Sequence, residues 1–431
     1  MEKLNKVDSS AFARSERDTI QILDGIDWDF TSKSFVYEKM KPFDCRKHHW
    51  FPATFIPEIP YTLIETLTNP GATVYDPFAG IGTTYFQALL LGRRPLATEI
   101  CSVAVEFMKA LQSLFDPTID LDNVRKTLED DLEKYSPAVD YAEKAHENIH
   151  VKAIFDELEK WYHRSTLNQI AYLVSTEADC PNPAEKATIR ISLSAILKRA
   201  SSQNRGWGCI ADNVTPKPAQ IENKDAIRMF RIKVHRLLTD ISDHLRFVGS
   251  EYSRLYRETV TSETIMHADA KKRDSLPDGS VDLIVTSPPY PNMTDYVKSQ
   301  RLSYYWLGKP LSKASEPMQD LACEIGARRK RGQSKSLQHY LDDLRTVNEA
   351  LSKKVREGGY VCFVMPLFGS VNQNDVDRRR IVQRAMSDLE RYFIKERELE
   401  RTIPAIKRTH NIKWSTLDRE RIYVFRKGGG D

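Results

Sequence analysis

Ser287-Pro288-Pro289-Tyr290 brings together a hydroxyl, main-chain carbonyls that no regular ladder can use, and an aromatic face. The stretch before Thr286, Ser280-Val281-Asp282-Leu283-Ile284-Val285, is apolar and β-branched and reads as a buried strand. The prolines must end that strand, because they have no N–H to give a sheet and Pro289 keeps Pro288 away from helical angles. The carbonyls of Ser287 and Pro288 are therefore left at the carboxyl end of a parallel-type strand, where open α/β sheets hold their ligands. The set suits an exocyclic amino group on a flat ring. Ser287 and Pro288 accept its two N–H bonds while Tyr290 stacks on the ring. An ordinary Pro-rich turn is the plainer alternative, and a second motif weighs against it.

That motif is Asp76-Pro77-Phe78-Ala79-Gly80-Ile81-Gly82-Thr83-Thr84, a Gly-rich loop between a strand at Ala72-Thr73-Val74-Tyr75 and a helix from Thr83 to Leu91. Gly80 and Gly82 let the backbone approach a ligand without a Cβ clash, and the helix start offers free N–H groups to a carboxylate. A dinucleotide fingerprint would need glycine where Tyr85 stands, which weakens a nicotinamide oxidoreductase. No Gly-Lys-Ser/Thr is present for an ATP-type loop. The next strand, Pro95 to Thr98, ends in Glu99, the position that holds ribose hydroxyls after such a loop; a cap on the following helix is the alternative. Asp269 ends a third strand, Thr264 to Asp269, and either accepts an adenine amino group or is a solvated strand-end aspartate.

These elements must be carried by a large framework. With 431 residues, the chain is long enough for two or three domains. At 41% hydrophobic and 29% charged residues it reads as globular rather than disordered. The net charge of +4 requires any basic surface to be local. Six scattered cysteines without a C-x-x-C pair read as reduced thiols, and adjacent His48 and His49 are poorly placed to share a metal, so no metal site is expected. No membrane-length apolar run or signal core is present, and cytoplasmic residence is expected.

Residues 1–47 read as an arm, 48–117 as the first part of the main domain, 118–258 as a helical insertion, and 259–431 as its second part. The insertion shows helical spacing over Leu121 to Tyr135, His150 to His163, Ala184 to Ala200 and Asn223 to Val248. Between two of these lies a polar loop with Arg205 and Trp207, suited to reading bases or to a solvated turn. Arg328-Arg329-Lys330-Arg331 is the densest basic run, fit to contact phosphates or to form a solvated face. Further helices over Leu337 to Val355 and Asp375 to Phe393 flank a strand at Tyr360 to Met365. Strands at Glu396 to Ile403 and Arg421 to Arg426 complete an α/β, doubly wound sheet with a terminal antiparallel hairpin and a helical insertion.

Together, the two motifs resemble the amino-methylating DNA methyltransferases that use S-adenosylmethionine, and the N4-cytosine group in particular. The Asp76 to Thr84 loop looks like that family's cofactor loop. Thr286-Ser287-Pro288-Pro289-Tyr290 looks like its catalytic loop, in which serine at the first position is more typical of N4-cytosine enzymes. Phe51-Pro52-Ala53-Thr54-Phe55 with Pro57-Glu58 resembles the segment that holds the methionine end. The likeness covers about 48–116 and 260–428, with the cofactor loop first in the chain. It implies a methyltransferase-type fold and methyl transfer to N4 of a cytosine flipped out of double-stranded DNA, with Ser287, Pro288, Pro289 and Tyr290 catalytic. It also implies that Pro52, Asp76, Phe78, Gly80, Gly82, Thr83, Glu99 and Asp269 hold the cofactor. A restriction-modification role follows, with a companion endonuclease in another polypeptide. N6-adenine methylation and a catalytically silent nucleic-acid-binding protein are the alternatives.

Overall fold

The computed structural model of the chain describes residues 16–30, 41–146, 158–203, 216–261, 263–272, 276–306, 318–330, 332–333, 335–369, 373–403 and 417–428. In chain order the helices are α1 (Glu16–Asp24), α2 (Glu58–Leu67), α3 (Thr83–Leu90), α4 (Ser102–Leu114), α5 (Leu121–Glu133), α6 (Tyr141–His146), α7 (Arg164–Asp179), α8 (Pro183–Ala200), α9 (Ala226–Phe247), α10 (Gly249–Thr259), α11 (Tyr296–Ser299), α12 (Arg301–Trp306), α13 (Met318–Cys323), α14 (Ser336–Lys354) and α15 (Gln373–Leu389). The strands are β1 (Thr73–Asp76), β2 (Arg94–Glu99), β3 (Ile265–His267), β4 (Val281–Thr286), β5 (Val355–Pro366), β6 (Ile394–Thr402) and β7 (Arg419–Arg426).

The strands form one sheet in the order β3-β2-β1-β4-β5-β7-β6. The first five are parallel, β7 is antiparallel to β5, and β6 is antiparallel to β7. The doubly wound α/β sheet with its terminal hairpin is thus present. Alternation along each strand decides which core a side chain joins. Val74, Leu283, Val285, Cys362 and Val364 meet α2 residues Leu63 and Ile64 on one face. Tyr75, Ile284, Val361, Phe363 and Met365 meet Leu341, Leu344 and Val382 of α14 and α15 on the other. A third cluster joins α3 and α4 to α5, α7, α8 and α9. Most of its helices come from the chain between β2 and β3.

Several boundaries differ from the sequence pattern. β3 is short, Ile265–His267, because it lies at the sheet edge and pairs only with β2. His163, expected to close a helix, instead caps α7: its Nδ1 accepts the Ser165 N–H at 3.2 Å. Most of the helix expected over 150–163 falls outside the described residues. α7 was not among the expected helices, although Leu167, Ile170, Ala171 and Val174 recur in it at helical spacing.

Candidate active site

Sheet order reverses between β1 and β4, so the loops leaving those neighbouring strands flank the crevice where such sheets bind ligands. The two loops are tied together. Asp76 Oδ1 accepts the Thr286 hydroxyl at 2.6 Å and the Phe78 N–H at 3.0 Å. Thr84, in the first turn of α3, donates its hydroxyl to the Val285 carbonyl at 3.0 Å. Burial pushes the Asp76 carboxyl up to about 6, against the pull of its donors.

Glu99 ends β2 beside them and is 8% exposed. Its Oε1 accepts the N–H groups of Ile100 and Cys101 at 2.9 and 2.8 Å, and its Oε2 accepts that of Gly80 at 2.7 Å. Burial nevertheless pushes it up to about 7. A carboxylate oxygen can take two donors, so Oε2 keeps one acceptor direction. Gly80 has φ +55°, and a Cβ there would stand 3.4 Å from the Phe51 ring.

A cavity opens over these loops. Phe51, Pro52, Phe55, Phe78, Ile100, Ala268 and Ile325 give it apolar walls, while Thr83, Glu99, Asp269, Ser287, Tyr296 and Glu324 supply polar groups. That combination, flat apolar walls with a few acceptors, fits a small ligand carrying an aromatic ring and hydroxyls.

Comparison with known proteins points the same way. A family model described as DNA methylase matches residues 16–110. The chain is similar to DNA methylases. Type II methyltransferase M.BsoBI of Geobacillus stearothermophilus is 24% identical over 317 residues, covering 68% of this chain and 59% of that protein. Type II methyltransferase M.MvaI of Kocuria varians is 21% identical over 267 residues, covering 61% and 57% respectively. The chain thus spans less than two thirds of the length of either relative.

Eight of the twelve residues expected from the sequence to be catalytic or to hold a cofactor converge on the cavity. Pro52, Phe78, Gly80, Thr83, Glu99, Asp269, Ser287 and Pro289 line it. Asp269 also accepts the Lys271 N–H at 3.0 Å. Pro288 is buried between the two other loop positions.

Others stand elsewhere. Asp76 is 1% exposed and acts as the joint between loops rather than as part of the wall. Gly82 caps α3 at φ +86°, and a Cβ there would meet Phe86 and Met108 at 2.9 and 3.0 Å. Its missing side chain therefore makes room for helix packing rather than for a ligand. Tyr290, expected to stack on a ring, is 5% exposed and outside the cavity lining. Its hydroxyl donates to Glu420 Oε1 at 2.9 Å, and Arg401 donates to Glu420 Oε2 at 2.6 Å. Burial holds the Tyr290 phenol well above its ordinary value.

The basic run divides as well. Arg329 is turned inward, donating to Asp295 Oδ1 at 3.2 Å, to Glu324 and to the Leu321 carbonyl. Lys330 donates to the Glu324 carbonyl at 2.9 Å, while Arg328 is exposed. Arg205 and Arg331 lie outside the described residues.

Tyr296 and Glu324 had no signal in the sequence. The Tyr296 ring stacks on Phe51, with centroids 6.1 Å apart. Glu324 is 2% exposed and accepts the Tyr296 and Val297 N–H groups and the Arg329 guanidinium. Burial raises its carboxyl. It fastens the segment after α13 to α11 and so closes one side of the cavity.

Proposed function

We propose that the chain transfers a methyl group from S-adenosylmethionine to the exocyclic N4 amino group of a cytosine in double-stranded DNA. One observation carries this reading: the Asp76–Thr286 hydrogen bond clamps the Gly-rich loop and the Ser287-Pro288-Pro289 loop against one cavity. Cofactor and target base would thereby be brought face to face.

Bound S-adenosylmethionine supplies a methyl group already activated by sulfonium charge. The protein's task is alignment and electrostatics. Oε2 of Glu99 has the spare acceptor site a ribose hydroxyl needs, and Asp269, which lines the same cavity as Ile100 and Ala268, would accept an adenine amino group. Phe51, Pro52 and Gly80 line the cavity together with Tyr296, whose ring stacks on Phe51. The Ser287 side chain and the Pro288 carbonyl accept the two N–H bonds of the target amino group. That interaction favours a pyramidal nitrogen whose lone pair faces the methyl. Tyr290, engaged by Glu420, holds the loop from beneath.

N6 of adenine is the second reading, because the same two acceptors would take both N–H bonds of either amino group. The serine at position 287 favours cytosine by resemblance. The similarity to Type II methyltransferases supports a modification enzyme that protects DNA from a companion restriction endonuclease. Residues 118–258 are then the region that reads the duplex.

The test is mass spectrometry of nucleosides from plasmid DNA incubated with the purified protein and labelled S-adenosylmethionine. Label in N4-methylcytosine is expected. Label in N6-methyladenine would reassign the base and keep the mechanism. Bound cofactor with no label in DNA would overturn the reading.

A further inference from the structure

We propose that duplex DNA lies across a basic face made by the end of α8 and the middle of α9, where Lys198, Arg199, Lys233 and Arg236 contact its phosphates. The inference rests on the DNA methylase reading and locates the contact away from the Arg328 run.

The face adjoins the cavity through one loop. Lys198 Nζ stands 3.2 Å from the centre of the Trp50 ring, and the next residue, Phe51, lines the cavity. Gln300, one turn along from Tyr296, donates to the Trp50 carbonyl at 3.1 Å. Lys233 Nζ reaches the Lys47 carbonyl at 2.9 Å, and Arg236 follows Lys233 by one turn of α9. Arg199 and Arg236 are exposed, and among the described residues neither has an ion-pair partner.

Arg199 and Arg236 leave this face with net positive charge, and the carboxylate that Arg236 helps to lower, after His48, is Asp240. The Lys233 ammonium is held below its ordinary value by burial and then by the charges of Arg236 and Arg199. The neighbouring carboxylate, Asp240, lies against His48 Nε2 at 3.2 Å. Gathered like charges repel one another until an anion arrives. A flipped nucleotide stays bonded to its backbone, so its flanking phosphates must be held beside the cavity that receives the base. By contrast, the Arg329 guanidinium is spent on the Asp295 and Glu324 carboxylates.

The experiment measures binding of a fluorescent duplex over a salt series for the full chain, Arg199→Ala, Arg236→Ala and the double variant. Arg257→Ala, an exposed arginine of α10, serves as the matched control. Each lost phosphate contact should flatten the slope of log K against log[salt] by about 0.9, which is roughly eightfold in affinity at 0.1 M salt. S-adenosylmethionine binding and the melting temperature should stay unchanged, and Arg257→Ala should match the parent. If the parent methylates DNA and the variants keep its slope, the face is overturned and the methylase reading stands. If the parent binds the cofactor but no duplex, both fall.

Discussion

Glu99 sets the pH dependence of the site. Burial raises Asp76 to about 6 and Glu99 to about 7, above ordinary carboxylates. In the ligand-free protein, the stability tied to these protons is complete below about pH 4 and fades as pH climbs through 6 and 7. Cofactor binding runs the other way, since ribose hydroxyls donate best to an ionised carboxylate. Calorimetry between pH 6 and 8 should therefore show affinity for S-adenosylmethionine rising about tenfold as Glu99 deprotonates. Glu99→Gln should bind weakly with no such slope. Ser287 should behave oppositely: Ser287→Ala removes an acceptor that acts on the target nitrogen. It should lower kcat by about 10²-fold while the cofactor Kd is unchanged, as single-turnover assays and calorimetry would show. Both residues were legible in the sequence, Ser287 because prolines end its strand and Glu99 because it closes the strand that follows the Gly-rich loop.

The two glycines of the Asp76 to Thr84 loop look alike in sequence and differ as parts of elements. Gly82 caps α3, and its Cβ position is filled by Phe86 and Met108. Gly82→Ala should cost at least about 1–2 kcal/mol for the left-handed backbone alone, read as a lower melting temperature. Gly80 faces Phe51 at ordinary contact distance. Gly80→Ala carries the same left-handed backbone strain without a clash, and because Gly80 lines the cavity and its N–H holds Glu99 Oε2, it should show its larger effect in cofactor affinity. Helices with clear periodicity were readable at this scale, including Ala226–Phe247, in which Phe230, Val234, Leu237, Leu238 and Ile241 are buried. α7 was missed because its capping residue, His163, is not among the usual caps.

Across the whole molecule, the terminal hairpin supports the Ser287-Pro288-Pro289 loop from more than a hundred residues away. Glu420 of β7 takes the Tyr290 hydroxyl and the buried Arg401 guanidinium together. Glu420→Ala would leave Arg401 buried without its partner, at a cost of about 3–5 kcal/mol. It should lower the urea midpoint and slow turnover together, whereas Glu420→Gln, which keeps an acceptor for Tyr290, should preserve more of the turnover. The sequence by itself determined the strand that ends at Thr286, the Gly-rich loop after β1, the doubly wound order of elements and the hairpin. Each is written in local periodicity and in where Gly and Pro fall. Only the tertiary structure decided that Asp76 is a joint, that Gly82 serves packing, that Tyr290 is tied to Glu420 and that Arg329 is turned inward. It also brought Tyr296 and Glu324 to the cavity wall. These outcomes depend on which buried polar group finds a partner across the fold, and desolvation makes that pairing decisive without leaving a trace in the residues nearby along the chain.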